Sequence, residues 1–128
     1  MKTLFLLTCL IIFSSCNKKT EFDCSSFKIG KFQQNIEEEN AIIHSTRTED
    51  GFQQDSSKFG VSKYKLTWKS DCKCEAELIE TSNNYSKKYI GRKYYVEIAE
   101  KLSDKEYIYK CHVDGIDFID QDTITKTN

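Results

Sequence analysis

The chain has 128 residues, with 19 basic and 20 acidic side chains, a formal charge of −1 and a mean hydropathy of −0.60. A chain of this length forms one domain with a modest core. Because the near-zero charge creates no long-range positive field, the composition gives no indication of nucleic-acid binding.

The N-terminal segment has the layout of a secretory signal. Lys2 supplies a basic start, residues 4–13 are almost wholly apolar, and two serines then precede Cys16. A transmembrane helix needs ~20 apolar residues, and this run is about half as long. The layout therefore predicts a signal peptide over residues 1–15.

The end of this segment also indicates lipidation. Residues 13–16 read Phe-Ser-Ser-Cys, which resembles a lipobox, the site where bacterial lipoproteins are acylated on cysteine and cleaved before it. Phe13 stands where Leu, Val or Ile is usual, and the alternative is an ordinary signal peptide that leaves Cys16 as a thiol. We expect a lipidated Cys16 and a polar linker over residues 16–23. The protein would then be anchored to a membrane of the bacterial cell envelope, with the outer membrane favoured.

Four of the six cysteines remain for the folded domain: Cys24, Cys72, Cys74 and Cys111. An even number in an exported chain predicts disulfides, and four cysteines allow three connectivities. Each bridge would add ~2–4 kcal/mol to a small domain.

Zinc is the alternative use of these residues. Cys72, Cys74, Cys111 and His112 are suitable ligand types. However, a strand would send Cys111 and His112 to opposite faces, and the spacing Cys-x-Cys lacks the two-residue gap of common zinc knuckles. We therefore expect disulfides, with no metal and no cofactor. The absence of Cys-x-x-Cys also argues against redox catalysis.

Four segments alternate apolar and polar residues with a period of two: residues 61–69, 72–81, 94–98 and 107–113. This alternation is typical of half-buried antiparallel strands. Residues 36–44 suit either a helix or a strand, and we predict a strand. Helical spacing is not sustained elsewhere.

Turn signals separate the predicted strands. Residues 69–71 and the pair Asp114-Gly115 predict tight hairpins, and residues 81–92 form the longest loop. We expect an all-β domain over residues 24–128, a single antiparallel meander of about seven or eight strands. We expect this sheet to curl into a barrel or half-barrel of lipocalin-like size, because curling pairs or protects the edge strands.

The motifs of the mature chain resemble those of a known group. Residues 24–32 read Cys-Ser-Ser-Phe-Lys-Ile-Gly-Lys-Phe, residues 47–48 and 52–53 read Arg-Thr and Phe-Gln, and residues 68–72 read Trp-Lys-Ser-Asp-Cys. This pattern is similar to that of short, uncharacterised envelope lipoproteins from flavobacterial-type genomes. The resemblance implies a β-rich envelope lipoprotein and no particular activity.

The same resemblance implies a disulfide pairing. The pattern of the group favours a Cys24–Cys72 bond. Where the group usually has Cys-x-Tyr, this chain has Cys-Lys-Cys at residues 72–74, which suggests an added bridge between Cys74 and Cys111.

Enzyme motifs are missing from the sequence. The two histidines, His44 and His112, stand in no recognisable catalytic motif. Nucleophile-elbow, phosphate-loop and metalloprotease patterns are also absent. We therefore expect a protein that is not an enzyme.

Two features suggest binding. The longest loop is basic and aromatic, and its candidate residues are Lys87, Lys88, Tyr89, Arg92 and Lys93. These side chains would bind an anionic glycan or lipid headgroup. The alternative is that they belong to a solvated loop and only keep it soluble. The second feature is a set of strand tyrosines, which either line a ligand cavity or pack the core: Tyr64, Tyr94, Tyr95, Tyr107 and Tyr109.

Two functions from different classes follow. The first is a lipid-tethered binding module whose small barrel accepts a hydrophobic or anionic small molecule. The second is an interaction or inhibitor module that acts on another envelope protein. A cavity lined by tyrosines would favour the first, and a filled core with a large exposed apolar patch would favour the second.

Overall fold

The structure is a computed structural model that describes residues 22–116 and 119–128. The predicted signal peptide, Cys16 and all but the last two residues of the predicted linker lie outside the described residues.

The fold is a closed antiparallel barrel. Its strands are β1 (Gly30–Ile36), β2 (Ala41–Arg47), β3 (Phe52–Ser57), β4 (Gly60–Ser70), β5 (Lys73–Thr81), β6 (Lys93–Lys101), β7 (Glu106–Val113) and β8 (Ile119–Lys126). Each strand pairs with the next along the chain, and β8 pairs with β1 to close the barrel. The predicted all-β meander is therefore confirmed, and it closes fully rather than stopping at a half-barrel.

The period-two alternation determines which side chains face the interior. Leu66 of β4 lies opposite Ala76 of β5, and Trp68 lies opposite Cys74. All four line the interior, whereas the intervening Thr67 is exposed. Successive strand residues point to opposite faces of the sheet. The apolar positions of the alternation therefore face the interior, and the polar positions between them face solvent.

Two local predictions need correction. Residues 36–44 are not one strand, because β1 ends at Ile36, a 3₁₀ turn follows at Glu37–Glu39, and β2 begins at Ala41. Asn40 has a φ of 46°, a left-handed conformation that asparagine tolerates better than most residues, and this lets the chain reverse.

The predicted hairpins are shifted as well. β4 continues to Ser70, which pairs with Lys73, so the turn consists of residues 71–72. Asp114 and Gly115 do form a turn, and the next strand in the described part of the chain is β8, which starts at Ile119.

The segment before β1 plugs one end of the barrel. A 3₁₀ turn at Ser25–Phe27 places the Phe27 ring 4.0 Å, centroid to centroid, from the ring of Tyr107. The buried cluster at this closed end consists of Cys24, Phe27, Phe32, Ile98, Tyr107 and Ile124. The core therefore fills one end of the barrel.

A disulfide joins the plug to the wall. Cys24 bonds to Cys72 in the β4–β5 turn, across 48 positions of sequence, with Cα atoms 5.2 Å apart. The pairing implied by the resemblance is confirmed for these two cysteines.

The second expected disulfide, Cys74–Cys111, is wrong: both residues are free thiols. Val96 of β6 lies between them, because it pairs with Cys74 on one side and with Cys111 on the other. Two interstrand spacings separate the cysteine backbones by about 10 Å. A disulfide requires Cα atoms within roughly 4.4–6.8 Å, so the two sulfurs cannot bond without moving a strand.

Candidate functional site

The half of the barrel away from the plug encloses a cavity of about 290 Å³. This volume is near the lower end of the ~300–1,000 Å³ typical of ligand pockets. The cavity is lined by side chains from all eight strands. A barrel of eight strands is just wide enough to fill itself or to hold one small ligand, and here it leaves space.

One wall of the cavity is apolar and aromatic. Strands β4 to β6 contribute Leu66, Trp68, Ala76 and Val96 to this wall. Higher on the same wall, Tyr64 and Tyr94 meet edge to face, with ring centroids 6.1 Å apart. Burial raises the pKa of the Tyr64 phenol, so its hydroxyl stays neutral.

The opposite wall is polar and hydrogen-bonded. Ser45 Oγ donates to Asp55 Oδ1 at 2.6 Å, and Gln53 Nε2 donates to the same oxygen at 2.8 Å. Burial raises the pKa of the Asp55 carboxyl, although the hydrogen bonds that it accepts and a nearby guanidinium oppose the shift. This network fixes a row of polar atoms facing the apolar wall.

Arg47 lies at the floor of the cavity, where it meets the plug. Its Nε donates to Gln53 Oε1 at 2.8 Å. Its Nη1 donates to the Phe27 carbonyl at 2.6 Å and to the Tyr107 hydroxyl at 2.9 Å. The guanidinium also lies 4.4 Å from the centroid of the Phe32 ring. Arg47 therefore connects the plug, the core and the polar wall.

The two free thiols face the cavity but are poor nucleophiles. Burial raises the pKa of both Cys74 and Cys111 to about 11. At neutral pH both are therefore protonated, whereas reactive cysteines have a lowered pKa.

The residues considered for zinc are not brought together. Cys72 is in the disulfide, and His112 stacks on Tyr95 with ring centroids 5.0 Å apart. Within residues 22–116 and 119–128, no group of three or more His, Cys, Asp or Glu side chains is placed to hold a metal ion.

The cavity meets an open groove at the end opposite the plug. Glu39, Phe59 and Tyr85 lie along this rim. Ile43 and Asp55 line both the groove and the cavity, so the two spaces are neighbours. A molecule would reach the cavity from this end.

The predicted basic loop forms a cluster of its own. Lys88 Nζ lies 4.7 Å from the ring centroid of Tyr85 and 5.0 Å from that of Tyr89, and the Arg92 guanidinium lies 4.7 Å from Tyr89. Lys93 pairs with Glu75 at 3.7 Å. None of the five candidate loop residues lines the cavity. The structure therefore separates these five residues from the cavity.

Four of the five predicted tyrosines do line the cavity: Tyr64, Tyr94, Tyr107 and Tyr109. The exception is Tyr95, which points outward and donates to Asp114 at 2.9 Å. It is one residue out of phase with Tyr94, so the strand sends it to the other face.

The polar wall was missed by reasoning from the sequence. The inward-facing positions of β2 and β3 include the polar residues Arg47, Gln53 and Asp55. In a sequence, polar residues at alternating strand positions indicate a solvent-facing side. The resemblance did include Arg47 and Gln53 among its matching residues, without a role for either.

Across the described segments, no helix is long and apolar enough to cross a membrane. Comparison of the chain with protein-family models, with curated proteins and with solved structures finds no match.

Proposed function

We propose that this protein is an exported, lipid-anchored binding module that holds one small amphipathic molecule inside its barrel. The observation that carries the proposal is the cavity, in which an apolar wall faces a hydrogen-bonded polar wall. Ligand pockets are mostly apolar with a few fixed polar groups, and this interior has that composition.

The size of the cavity limits the ligand. At ~30 Å³ for each non-hydrogen atom, the share that a water molecule takes in the liquid, about 290 Å³ holds roughly ten such atoms. A medium-chain lipid fragment or a single-ring aromatic compound has this size. A complete phospholipid does not fit.

The position of the plug suggests how the protein is oriented. Phe22 packs against the core cluster at the closed end, and Cys16 precedes it by six residues. Six residues reach at most about 20 Å, so a lipid on Cys16 would hold the closed end near the membrane. The rim would then face away from the bilayer and receive ligands from the aqueous side.

The anchor is tested by intact mass spectrometry of the protein extracted from its own membrane. We expect the mass of residues 16–128 plus acyl chains, less two hydrogens for one disulfide. Alkylation after denaturation without reductant should label Cys74 and Cys111 and leave Cys24 and Cys72 unlabelled. An unacylated mass would contradict the anchor, and a missing label on Cys74 and Cys111 would contradict the free thiols.

The cavity is tested by a ligand titration that uses Trp68, the only tryptophan in the chain, as the reporter. We expect an eight-carbon alcohol or acid to shift or quench the Trp68 emission, because this side chain lines the cavity. Ala76→Leu should weaken binding at least about tenfold, because its added carbons occupy the cavity and overpacking resists adjustment.

Ala99→Leu is the matched control. Ala99 is exposed on β6, so the same substitution there should leave the titration unchanged. If Ala76→Leu binds as well as the wild type, or if no small amphipathic molecule alters the Trp68 emission, the proposed site is wrong. The second result would favour a module that acts on another envelope protein.

A further inference from the structure

The floor of the cavity contains a buried cation without an anionic partner in the described part of the chain. Arg47 is 9% exposed, and no carboxylate of residues 22–116 and 119–128 lies within 4.0 Å of its guanidinium nitrogens. Its three hydrogen bonds go to neutral acceptors, the Gln53 amide, the Phe27 carbonyl and the Tyr107 hydroxyl. A buried charge is costly unless it is paired.

One edge of this guanidinium, the Nη2 group, has no hydrogen-bond partner among the described residues. All three hydrogen bonds use Nε and Nη1, and no acceptor among the described residues pairs with Nη2. No fully buried side-chain nitrogen or oxygen of these residues lacks a partner, so Nη2 is not fully buried. Because Arg47 is one of the residues that line the cavity, we infer that Nη2 faces it.

A second donor lies beside it. Tyr107 accepts a hydrogen bond from Arg47 Nη1, which leaves its own hydroxyl hydrogen free to donate. Burial raises the pKa of Tyr107, so the hydroxyl keeps that hydrogen at neutral pH. Arg47 and Tyr107 both line the cavity at its floor, and a carboxylate has two oxygens to accept from the two side chains.

We propose that the ligand of the barrel carries a carboxylate, which binds Arg47 Nη2 and the Tyr107 hydroxyl at the cavity floor. This inference rests on the proposed function and names the chemical class of its ligand. The apolar body of the ligand extends along Leu66, Trp68 and Val96 toward the rim. A compound such as octanoate has ten non-hydrogen atoms and matches the volume.

An amine is the competing ligand chemistry. Asp55 and Asp120 line the same cavity and would attract a cation. However, burial raises the pKa of the Asp55 carboxyl, so it carries less readily the negative charge that an amine would require, and Asp120 is exposed. At the floor, the groups with unused hydrogen-bonding capacity are the donors of Arg47 and Tyr107, and these donors favour an anion.

The test compares three eight-carbon probes on the unaltered protein: octanoate, 1-octanol and octylamine, each titrated against Trp68 emission. We expect octanoate to bind at least about tenfold more tightly than 1-octanol, because the carboxylate pairs with the buried guanidinium charge, whereas a neutral hydroxyl leaves that charge unpaired. Equal or tighter binding of 1-octanol would overturn the carboxylate and leave the cavity function standing. Tightest binding of octylamine would also overturn it, and no response to any probe would overturn the function itself.

A variant pair locates the contact. Arg47→Gln should weaken octanoate at least about tenfold and change 1-octanol little, whereas Arg92→Gln, at the only other arginine, should change neither. Arg47 also holds the plug, so folding of this variant must be checked by circular dichroism.

A measurement on the wild type avoids that difficulty. With carboxyl-labelled octanoate, the bound carboxyl should stay ionised to a lower pH than the free acid, since a neighbouring guanidinium favours the charged form. A bound carboxyl that titrates at the same pH as the free acid, or at a higher pH, would overturn the proposal.

Discussion

Tyr107→Ala is expected to lower the free energy of unfolding by about 3–5 kcal/mol, the range for deleting a large buried aromatic side chain. Tyr107 is 1% exposed, contacts Phe27 at 4.0 Å between ring centroids and meets Phe32 edge to face at 6.2 Å. The substitution also removes an acceptor from Arg47, which leaves a buried donor unsatisfied. The measurement is urea unfolding followed by circular dichroism.

Tyr85→Ala is the control for this prediction. Tyr85 is 77% exposed on the rim, so losing its ring should change the unfolding free energy by no more than about 0.5 kcal/mol. Equal effects of the two substitutions would contradict a core centred on Tyr107. Tyr107→Phe separates packing from hydrogen bonding, because it keeps the ring and removes the hydroxyl.

Removing the disulfide in a Cys24→Ala/Cys72→Ala double variant is expected to lower the free energy of unfolding by about 4 kcal/mol. The bond closes a loop across 48 positions, and the chain-entropy model gives about this value for such a loop. The double substitution should behave like the wild type under reducing conditions, since both lack the same constraint on the unfolded chain. Urea unfolding with and without reductant measures the effect.

Cys111→Ala provides the comparison for a cysteine that makes no bond. Its thiol is half-buried and free, so we expect a loss of about 1 kcal/mol or less, with no dependence on reductant. An unfolding midpoint of the double variant equal to that of the oxidised wild type would show that the bond contributes nothing to stability.

Both predictions concern the plug, and the plug also defines the binding site. Phe27, Tyr107 and the Cys24–Cys72 bond close one end of the barrel, and Arg47 lies where that closure meets the cavity. Loosening the plug should therefore affect the floor of the cavity before it affects the rim.

Much of the architecture could be predicted from the sequence. The alternation through residues 64, 66 and 68 identified the interior of β4, and the same period identified the inner faces of β5, β6 and β7. This succeeds because side-chain direction in a strand is a local property of the backbone. The same alternation indicated that Tyr64, Tyr94, Tyr107 and Tyr109 face inward, but the sequence left open whether they line a cavity or pack the core.

The cavity itself was decided by tertiary structure. Arg47, Gln53 and Asp55 read as solvent-facing in the sequence, and they face inward only because β1 and β8 pair and close the sheet. When the sheet closes, one face of every strand becomes the barrel interior, even where the side chains on that face are polar. The local sequence pattern does not show whether the sheet closes. The same limit explains the wrong Cys74–Cys111 bond, since the sequence does not show that β6 lies between the two thiols.

The sequence by itself thus determined the all-β class, strands β4 to β7 with their inner faces and, through the resemblance, the Cys24–Cys72 bond, because these depend on local periodicity and on short motifs. Only the tertiary structure decided that the barrel closes, that one end is plugged and that a buried guanidinium faces an internal cavity. These features depend on contacts between residues far apart in the chain, such as Arg47 with Tyr107 and Phe32 with Lys126.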